Sequence, residues 1–211
     1  MENASKALII AGSVLIAILV ISLLVMFYGN IKDYMGTQSS ADASEQVVEF
    51  NKQYDVYYRN NLYGSDILSL ANKIYDYNKR QYEEEGYAEL KLNVTFKTNI
   101  TAYNSESVID IKKTYTASEL KERSEYLDSQ ISKYGNQKVS GKTIAALSGL
   151  RTNELQDLLG TTNIQNVQEK INYYLSYKSA LTNLKSKTFS ATKFEYDNKT
   201  SRVTLMTFKE N

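Results

Sequence analysis

The longest uncharged stretch of the chain covers residues 7–28, "ALIIAGSVLIAILVISLLVMFY", and nearly all of its positions are apolar. As a helix with a rise of about 1.5 Å per residue it extends about 33 Å, and the hydrocarbon core of a bilayer is about 30 Å thick. No small-residue cleavage site of the kind that ends a signal peptide follows it. The pattern therefore predicts a transmembrane helix that is retained.

A second helical pattern, with one apolar face, follows the apolar run. Between residues 44 and 59 apolar residues recur at intervals of three and four, as Val47, Val48, Phe50, Tyr54, Tyr57 and Tyr58. The chain contains no proline that would force a break between the two patterns. Together they predict one helix of about 55 residues, apolar on all sides in its first half and amphipathic in its second.

Shorter helices are predicted further along the chain. Ser65 is the predicted N-cap of a helix that ends at "NKRQYEEEG". Thr116 and Glu119 form a predicted capping box, and Gly135 is the predicted end of the helix that they begin. Apolar periodicity predicts two more helices, at residues 153–159 and 164–187.

Alternating apolar and polar residues predict strands. The alternation in "YAELKLNVTFK" predicts a strand with one buried face, and "SVIDIKK" is a second candidate. Residues 189–196 and 202–208, joined by the polar "DNKTS", predict a C-terminal β-hairpin. One predicted inner face of this hairpin consists of Phe194, Tyr196, Val203, Leu205 and Thr207. The alternative is the complementary register, in which the other side chains of both strands face inward.

These elements predict an α+β fold. Its parts are a long N-terminal helix (membrane span plus amphipathic spine), a small antiparallel sheet and additional helices. The predicted boundaries are 1–29 for a transmembrane or filament-core helix, 30–60 for its amphipathic continuation and 61–211 for an extracellular α+β domain. A chain of 211 residues can bury one core of this kind.

The charges that flank the apolar run predict its orientation. The α-amine, Glu2 and Lys6 precede it, whereas one lysine and four acidic residues lie within residues 30–50. Basic residues favour the cytoplasmic side. The predicted location is therefore the cell membrane, as a single-pass N-inside anchor, with an extracellular surface filament if the protein assembles.

Composition excludes several classes of function. With 25 basic and 24 acidic residues, the chain has a net charge of +1, which does not favour nucleic acid as a partner. It has neither cysteine nor histidine, which excludes disulfides, an imidazole base and a Cys/His zinc site. The 18 tyrosines present amphipathic rings, which suit both core packing and an interface.

No residue pattern predicts catalysis. The acidic run Glu83, Glu84 and Glu85 is typical of a solvated helix end. "SGKT" at residues 140–143 is similar to the end of a phosphate-binding loop, but the chain has no glycine five positions before Gly141, where that motif requires one. We therefore expect no enzyme activity, no cofactor, no metal ion and no small-molecule substrate.

A helix that lies half in the membrane and half under a small antiparallel sheet resembles the architecture of type IV pilin-like proteins. The opening "MENASKALIIAGSVLIAILVISLLV" is similar to the starts of small, uncharacterised, N-terminally anchored membrane proteins of Firmicutes. "FNKQYDVYYRNNLYGSDILSLANKIYDYN" and "FEYDNKTSRVTLMTF" resemble the body of that group. The resemblance implies a pilin-like fold, although the chain lacks the basic leader ending in glycine and the glutamate within the apolar run that pilins have.

Five residues at the start of the chain are candidate assembly residues. Gly12, Ser13 and Ser22 are small positions that let apolar helices approach one another closely. Glu2 and Lys6 are four residues apart, so they either pair along one helix or pair between adjacent subunits and set the axial register.

Two functions remain open at this stage. The first is a structural subunit of a cell-surface pilus-like filament, a homopolymer assembled through bundled apolar N-terminal helices. The alternative is a monomeric single-pass membrane protein that displays an extracellular binding domain. The amphipathic continuation of the helix favours the filament, because an isolated anchor does not need it. The predicted partners are therefore the membrane and further copies of the chain.

Overall fold

The structure is a computed structural model, and the residues that it describes are 18–26, 44–80, 88–111, 113–160 and 164–211. The chain divides into two compact units, Met1–Phe50 and Asn51–Asn211. The predicted boundaries at residues 29 and 60 stay predictions.

Two helices are described near the N-terminus. We call the first, at residues 18–26, the apolar helix, and the second, α1, covers residues 44–55. The remainder of the predicted helix of about 55 residues, at 1–17 and 27–43, lies outside the described residues. The single continuous helix therefore stays a prediction.

The second unit contains further helices, and all but the shortest of them lie where the sequence patterns predict a helix. They are α2 (Gly64–Lys79), α3 (Ala117–Gly135), α4 (Ile144–Leu147), α5 (Thr152–Leu159) and α6 (Ile164–Ser186). The capping box of α3 is confirmed, because the Thr116 N–H donates to Glu119 Oε2 at 3.0 Å and the Glu119 N–H donates to Thr116 Oγ1 at 3.4 Å.

The start of α2 differs from the prediction. Ser65 lies inside the helix, and the Tyr63 N–H donates to Asp66 Oδ2 at 3.1 Å in place of the predicted cap. The reason is tertiary: the Gly64 N–H donates to the Lys187 carbonyl at 2.7 Å, and a Cβ on Gly64 would overlap the carbonyl oxygen of Leu184. The helix begins where its backbone can approach the end of α6.

The strands are β1 (Leu62–Tyr63), β2 (Lys91–Thr95), β3 (Ile100–Thr101), β4 (Ser107–Ile109), β5 (Thr114–Tyr115), β6 (Lys138–Val139), β7 (Lys142–Thr143), β8 (Thr188–Tyr196) and β9 (Val203–Glu210). The main sheet has the order β1-β8-β9-β2-β5, while β3–β4 and β6–β7 form separate two-stranded sheets. The predicted C-terminal hairpin is confirmed as β8–β9. The prediction of an antiparallel sheet is wrong at one pair, because β2 runs parallel to β9.

The inner face of the β8–β9 hairpin changes register along its length. Phe194 packs on Phe208 with ring centroids 5.8 Å apart, and Val203, Met206 and Phe208 are buried. Tyr196, by contrast, is 46% exposed. Irregularities between Ala191 and Lys193 and between Glu195 and Tyr196 shift the alternation. A bulge changes which side chains share a face. The first predicted set is therefore right at Phe194 and Val203 and wrong at Tyr196, Leu205 and Thr207, and the buried Met206 and Phe208 belong to the complementary register.

The main core lies between the sheet and helices α2, α3 and α6, which pack on one another. Its fully buried residues include Leu70, Ile74, Leu120, Leu127, Phe189 and Phe208. A smaller core is formed where α4 and α5 meet the first turns of α6, around Ile144, Leu147, Leu155, Val167 and Ile171. The second unit thus buries its apolar residues internally.

Candidate functional site

Of the predicted assembly residues, the structure describes Ser22. Glu2, Lys6, Gly12 and Ser13 lie outside the described residues. Ser22 is exposed on the apolar helix, and its Oγ donates to the Ile18 carbonyl oxygen at 2.8 Å. Because the hydroxyl is satisfied within its own helix, Ser22 can contact another helix without leaving a polar group unpaired.

The apolar helix exposes its large side chains on all sides. The exposed fractions range from 43% to 68% for Ile18, Leu19, Val20, Ile21, Leu23, Leu24, Val25 and Met26. Exposed apolar clusters of this kind mark interaction sites.

The structure corrects the predicted location. No helix within the described ranges is both long and apolar enough to cross a membrane. The described apolar helix has nine residues. The prediction of a single-pass N-inside membrane anchor with an extracellular filament is therefore wrong, and residues 7–17 and 27–28 of the predicted span lie outside the described residues.

A groove opens in the second unit where the last turn of α2, strand β2 and the first turn of α3 meet. We call it the α2–β2–α3 groove; its volume is about 540 Å³, within the range of about 300–1,000 Å³ that is typical of ligand sites. Leu90, Leu92 and Ala117 are its buried lining residues. Lys79 and Lys91 line it from exposed positions.

One edge of β2 is open in this groove. Strand β5 pairs with Val94 and Thr95 alone, so within the described part of the chain no strand covers Lys91–Asn93 on that edge. Just before β2, the Leu90 N–H donates to Asn78 Oδ1 at 3.0 Å, and Asn78 Nδ2 donates to the Leu90 carbonyl at 2.7 Å. The Asn78 side chain thus takes the place of a neighbouring strand's peptide group.

A second cluster of polar groups joins α3 and α6. Tyr126 Oη donates to Glu106 Oε1 at 2.5 Å, and Tyr177 Oη donates to Glu106 Oε2 at 2.7 Å. Burial and the bond to Glu106 raise the pKa of Tyr177, and the same carboxylate raises the pKa of Tyr126. Tyr134 stacks on Tyr173, with centroids 4.8 Å apart and planes at 5°. Because the hydroxyls of Tyr126 and Tyr177 stay protonated and bonded to Glu106, they hold the β3–β4 connection against α3 and α6.

The "SGKT" motif belongs to a hairpin. Ser140 (φ 50°) and Gly141 (φ 78°) form the two-residue turn between β6 and β7, a conformation that favours glycine. Thr143 Oγ1 then accepts the Ala146 N–H at 3.3 Å and caps α4. The described residues contain no group of three or more His, Cys, Asp or Glu side chains that could hold a metal ion. The acidic run at residues 83–85 lies outside the described residues.

No family model matches this chain, and neither a curated protein nor a solved structure matches it. The resemblance to type IV pilin-like proteins stays a prediction.

Sequence reasoning missed both the α2–β2–α3 groove and the Glu106 cluster. Asn78 and Leu90 are 12 positions apart, and Glu106 and Tyr177 are 71 apart. No local pattern links such pairs, because asparagine near a helix end and glutamate in a loop are common on any surface. The strand pattern of β2 was visible, but its open edge depends on where β5 ends.

Proposed function

We propose that the protein is a non-catalytic structural subunit that polymerises with copies of itself into a pilus-like filament, through bundled apolar N-terminal helices. The observation that supports this proposal is the set of eight large apolar side chains exposed on residues 18–26. Burial of one such side chain contributes about 1.5–3 kcal/mol relative to leaving it in water, so the apolar helix gains stability wherever it is enclosed.

Identical copies are the partners that suit this helix best. A single groove on another protein covers one face of a helix, whereas a helix that is apolar on all sides needs neighbours on all sides. A bundle of equivalent helices supplies these neighbours without any further component. Ser22, whose hydroxyl is bonded to the Ile18 carbonyl, is the small described position at which two such helices can come close.

The test compares two exposed leucines in the full-length protein. Leu23 lies in the apolar helix and is 43% exposed, while Leu158 lies in α5 and is 39% exposed. We expect the wild type and Leu158→Glu to form species whose size increases with protein concentration in analytical ultracentrifugation. We also expect both to form filaments in negative-stain images. We expect Leu23→Glu to remain monomeric, because its carboxylate would be enclosed in the bundle without a partner.

Either of two results contradicts the proposal. One is a wild-type protein that stays monomeric at every concentration, which favours the alternative of a binding domain that does not assemble. The other is a Leu23→Glu protein that assembles as the wild type does.

A further inference from the structure

We infer that the open edge of β2 in the α2–β2–α3 groove is a docking site for an extended acidic peptide of another protein, which adds to the sheet as a short strand beside Leu92. This inference is independent of the proposed assembly. It rests on residues of the second unit, whereas the proposed assembly rests on the apolar helix.

The backbone of Leu92 supplies the hydrogen bonds. Within a strand, the N–H and C=O of one residue point to one edge and those of the next residue to the other. Leu90 uses its pair on Asn78, and Val94 lies opposite Tyr115. The N–H and C=O of Leu92 lie on the same edge, between those of Leu90 and Val94, and β5 does not extend to them. The Asn78 amide, bonded at 2.7 and 3.0 Å, shows that this edge accepts a peptide-like group.

The groove selects an apolar side chain at the central position of the peptide. A residue opposite Leu92 in the added strand directs its side chain to the same face as Leu92. That face is the buried one, and the groove there is lined by Tyr75, Leu90 and Ala117. A cavity of about 540 Å³ has room for a side chain of the size of valine or leucine.

The exposed charges select an acidic neighbour. Lys79 and Lys91 line the groove and form no ion pair among the described residues, and Glu89 is the acidic lining residue. Lys91 lies on the opposite face of β2 from Leu92, so it meets the peptide residue next to the apolar one. The same lysines disfavour pairing of this edge with its counterpart in a second copy, because like charges would lie opposite each other.

The probe is a fluorescein-labelled peptide, Thr-Val-Glu-Val-Glu-Thr, titrated with the full-length protein at low salt and followed by fluorescence anisotropy. Two matched peptides serve as controls, one with lysine in place of both glutamates and one with both valine nitrogens methylated. We expect saturable binding of the acidic peptide and binding about tenfold weaker for the lysine peptide. We expect no saturable binding of the methylated peptide, which cannot donate from its valines to the Leu92 carbonyl.

Protein variants locate the site. Lys91→Glu should weaken binding of the acidic peptide about tenfold and strengthen binding of the lysine peptide. Ser118→Trp, at an exposed lining position, should fill the groove and abolish binding of both. The matched control is Lys142→Glu, an exposed lysine of β7 beyond the far end of α3, which should leave both affinities unchanged.

Amide hydrogen exchange measures directly whether the peptide covers the backbone of Leu92. Exchange at the Leu92 N–H should slow in the presence of the acidic peptide and remain unchanged with the methylated one. Equal affinity for all three peptides, unchanged Leu92 exchange, or an undiminished affinity in Ser118→Trp protein with native circular dichroism would overturn the inference. Leu92 protection that rises with protein concentration in the absence of peptide would also overturn it, since a second copy would then cover the edge.

Discussion

The apolar helix and helix α6 have similar aliphatic residues and opposite surroundings. Helix α6 buries Val167, Ile171 and Leu184 against its neighbours in the second unit. Every large apolar side chain of the apolar helix is at least 43% exposed. The difference lies in the sequence pattern. The apolar residues of α6 form a stripe on one side of the helix, so one layer of neighbours covers them, whereas residues 18–26 have no polar face.

The apolar pattern of a helix determines how many of its sides require neighbours. The second unit meets this requirement from its own residues, with a main core and a smaller core. The first unit, in its described part, leaves the large apolar side chains of the apolar helix exposed. Stability of the second unit and association through the first are therefore expected to respond to different substitutions.

The largest effect is expected for charge placed in the hairpin core. Met206→Asp should lower the free energy of unfolding by about 4 kcal/mol, because Met206 is fully buried and an aspartate there has no partner. Leu205→Asp should cost about 1–2 kcal/mol, because Leu205 is only half-buried. Urea denaturation of both variants measures the difference. Equal losses would mean that the register of β9 is not the one described.

The next largest effect on the free energy of unfolding is expected where the backbone of α2 approaches that of α6. Gly64→Ala should destabilise the second unit by about 2–3 kcal/mol, because the added methyl group meets the Leu184 carbonyl and α2 must move away from α6. Gly149→Ala is the matched control, since a Cβ there meets nothing closer than 3.8 Å. Thermal unfolding of the two variants should separate them clearly, and a neutral Gly64→Ala would contradict the packing of α2 on α6.

A buried ion pair predicts the pH dependence of stability. Lys187 Nζ lies 2.8 Å from Glu210 Oε1, and the Lys97 N–H donates to Glu210 Oε2 at 2.7 Å. Burial alone would raise the pKa of Glu210, but the bonds from Lys187, Lys97 and Thr98 outweigh it and hold that pKa below its usual value. Glu210→Gln should therefore cost about 2 kcal/mol at neutral pH.

The sign of this dependence follows from the lowered pKa. The contribution of Glu210 is complete above the usual glutamate pKa of about 4.3 and is lost as the pH falls through its lower folded value. Urea midpoints measured from pH 6 to pH 2 should show a gap between wild type and Glu210→Gln that narrows below about pH 4. A gap that stays constant over that range would show that the carboxylate charge is not the cause.

The smallest effect on stability is expected at the N-terminus. Deletion of residues 1–29 should change the free energy of unfolding of the second unit by less than about 0.5 kcal/mol, because the strands and the packed helices lie downstream. The same deletion should abolish association in ultracentrifugation. Loss of native circular dichroism in the truncated protein would show that the two units depend on each other for folding.

Most local elements can be predicted from the amino-acid sequence. The Thr116–Glu119 capping box, the helices at α5 and α6 and the β8–β9 hairpin follow from interactions between residues that are near in the chain, which leave a readable pattern. The apolar character of residues 18–26 is likewise visible without a structure.

The way in which these elements combine depends on tertiary contacts. The parallel pairing of Lys91 with Leu205, the shifted register beyond Glu195 and the approach of Gly64 to Leu184 each join residues that are distant in sequence or depend on a neighbouring strand. The α2–β2–α3 groove exists because β5 ends at Tyr115 and the chain turns into α3. Such contacts depend on packing that is shared by the whole core, so no short segment carries enough information to specify them.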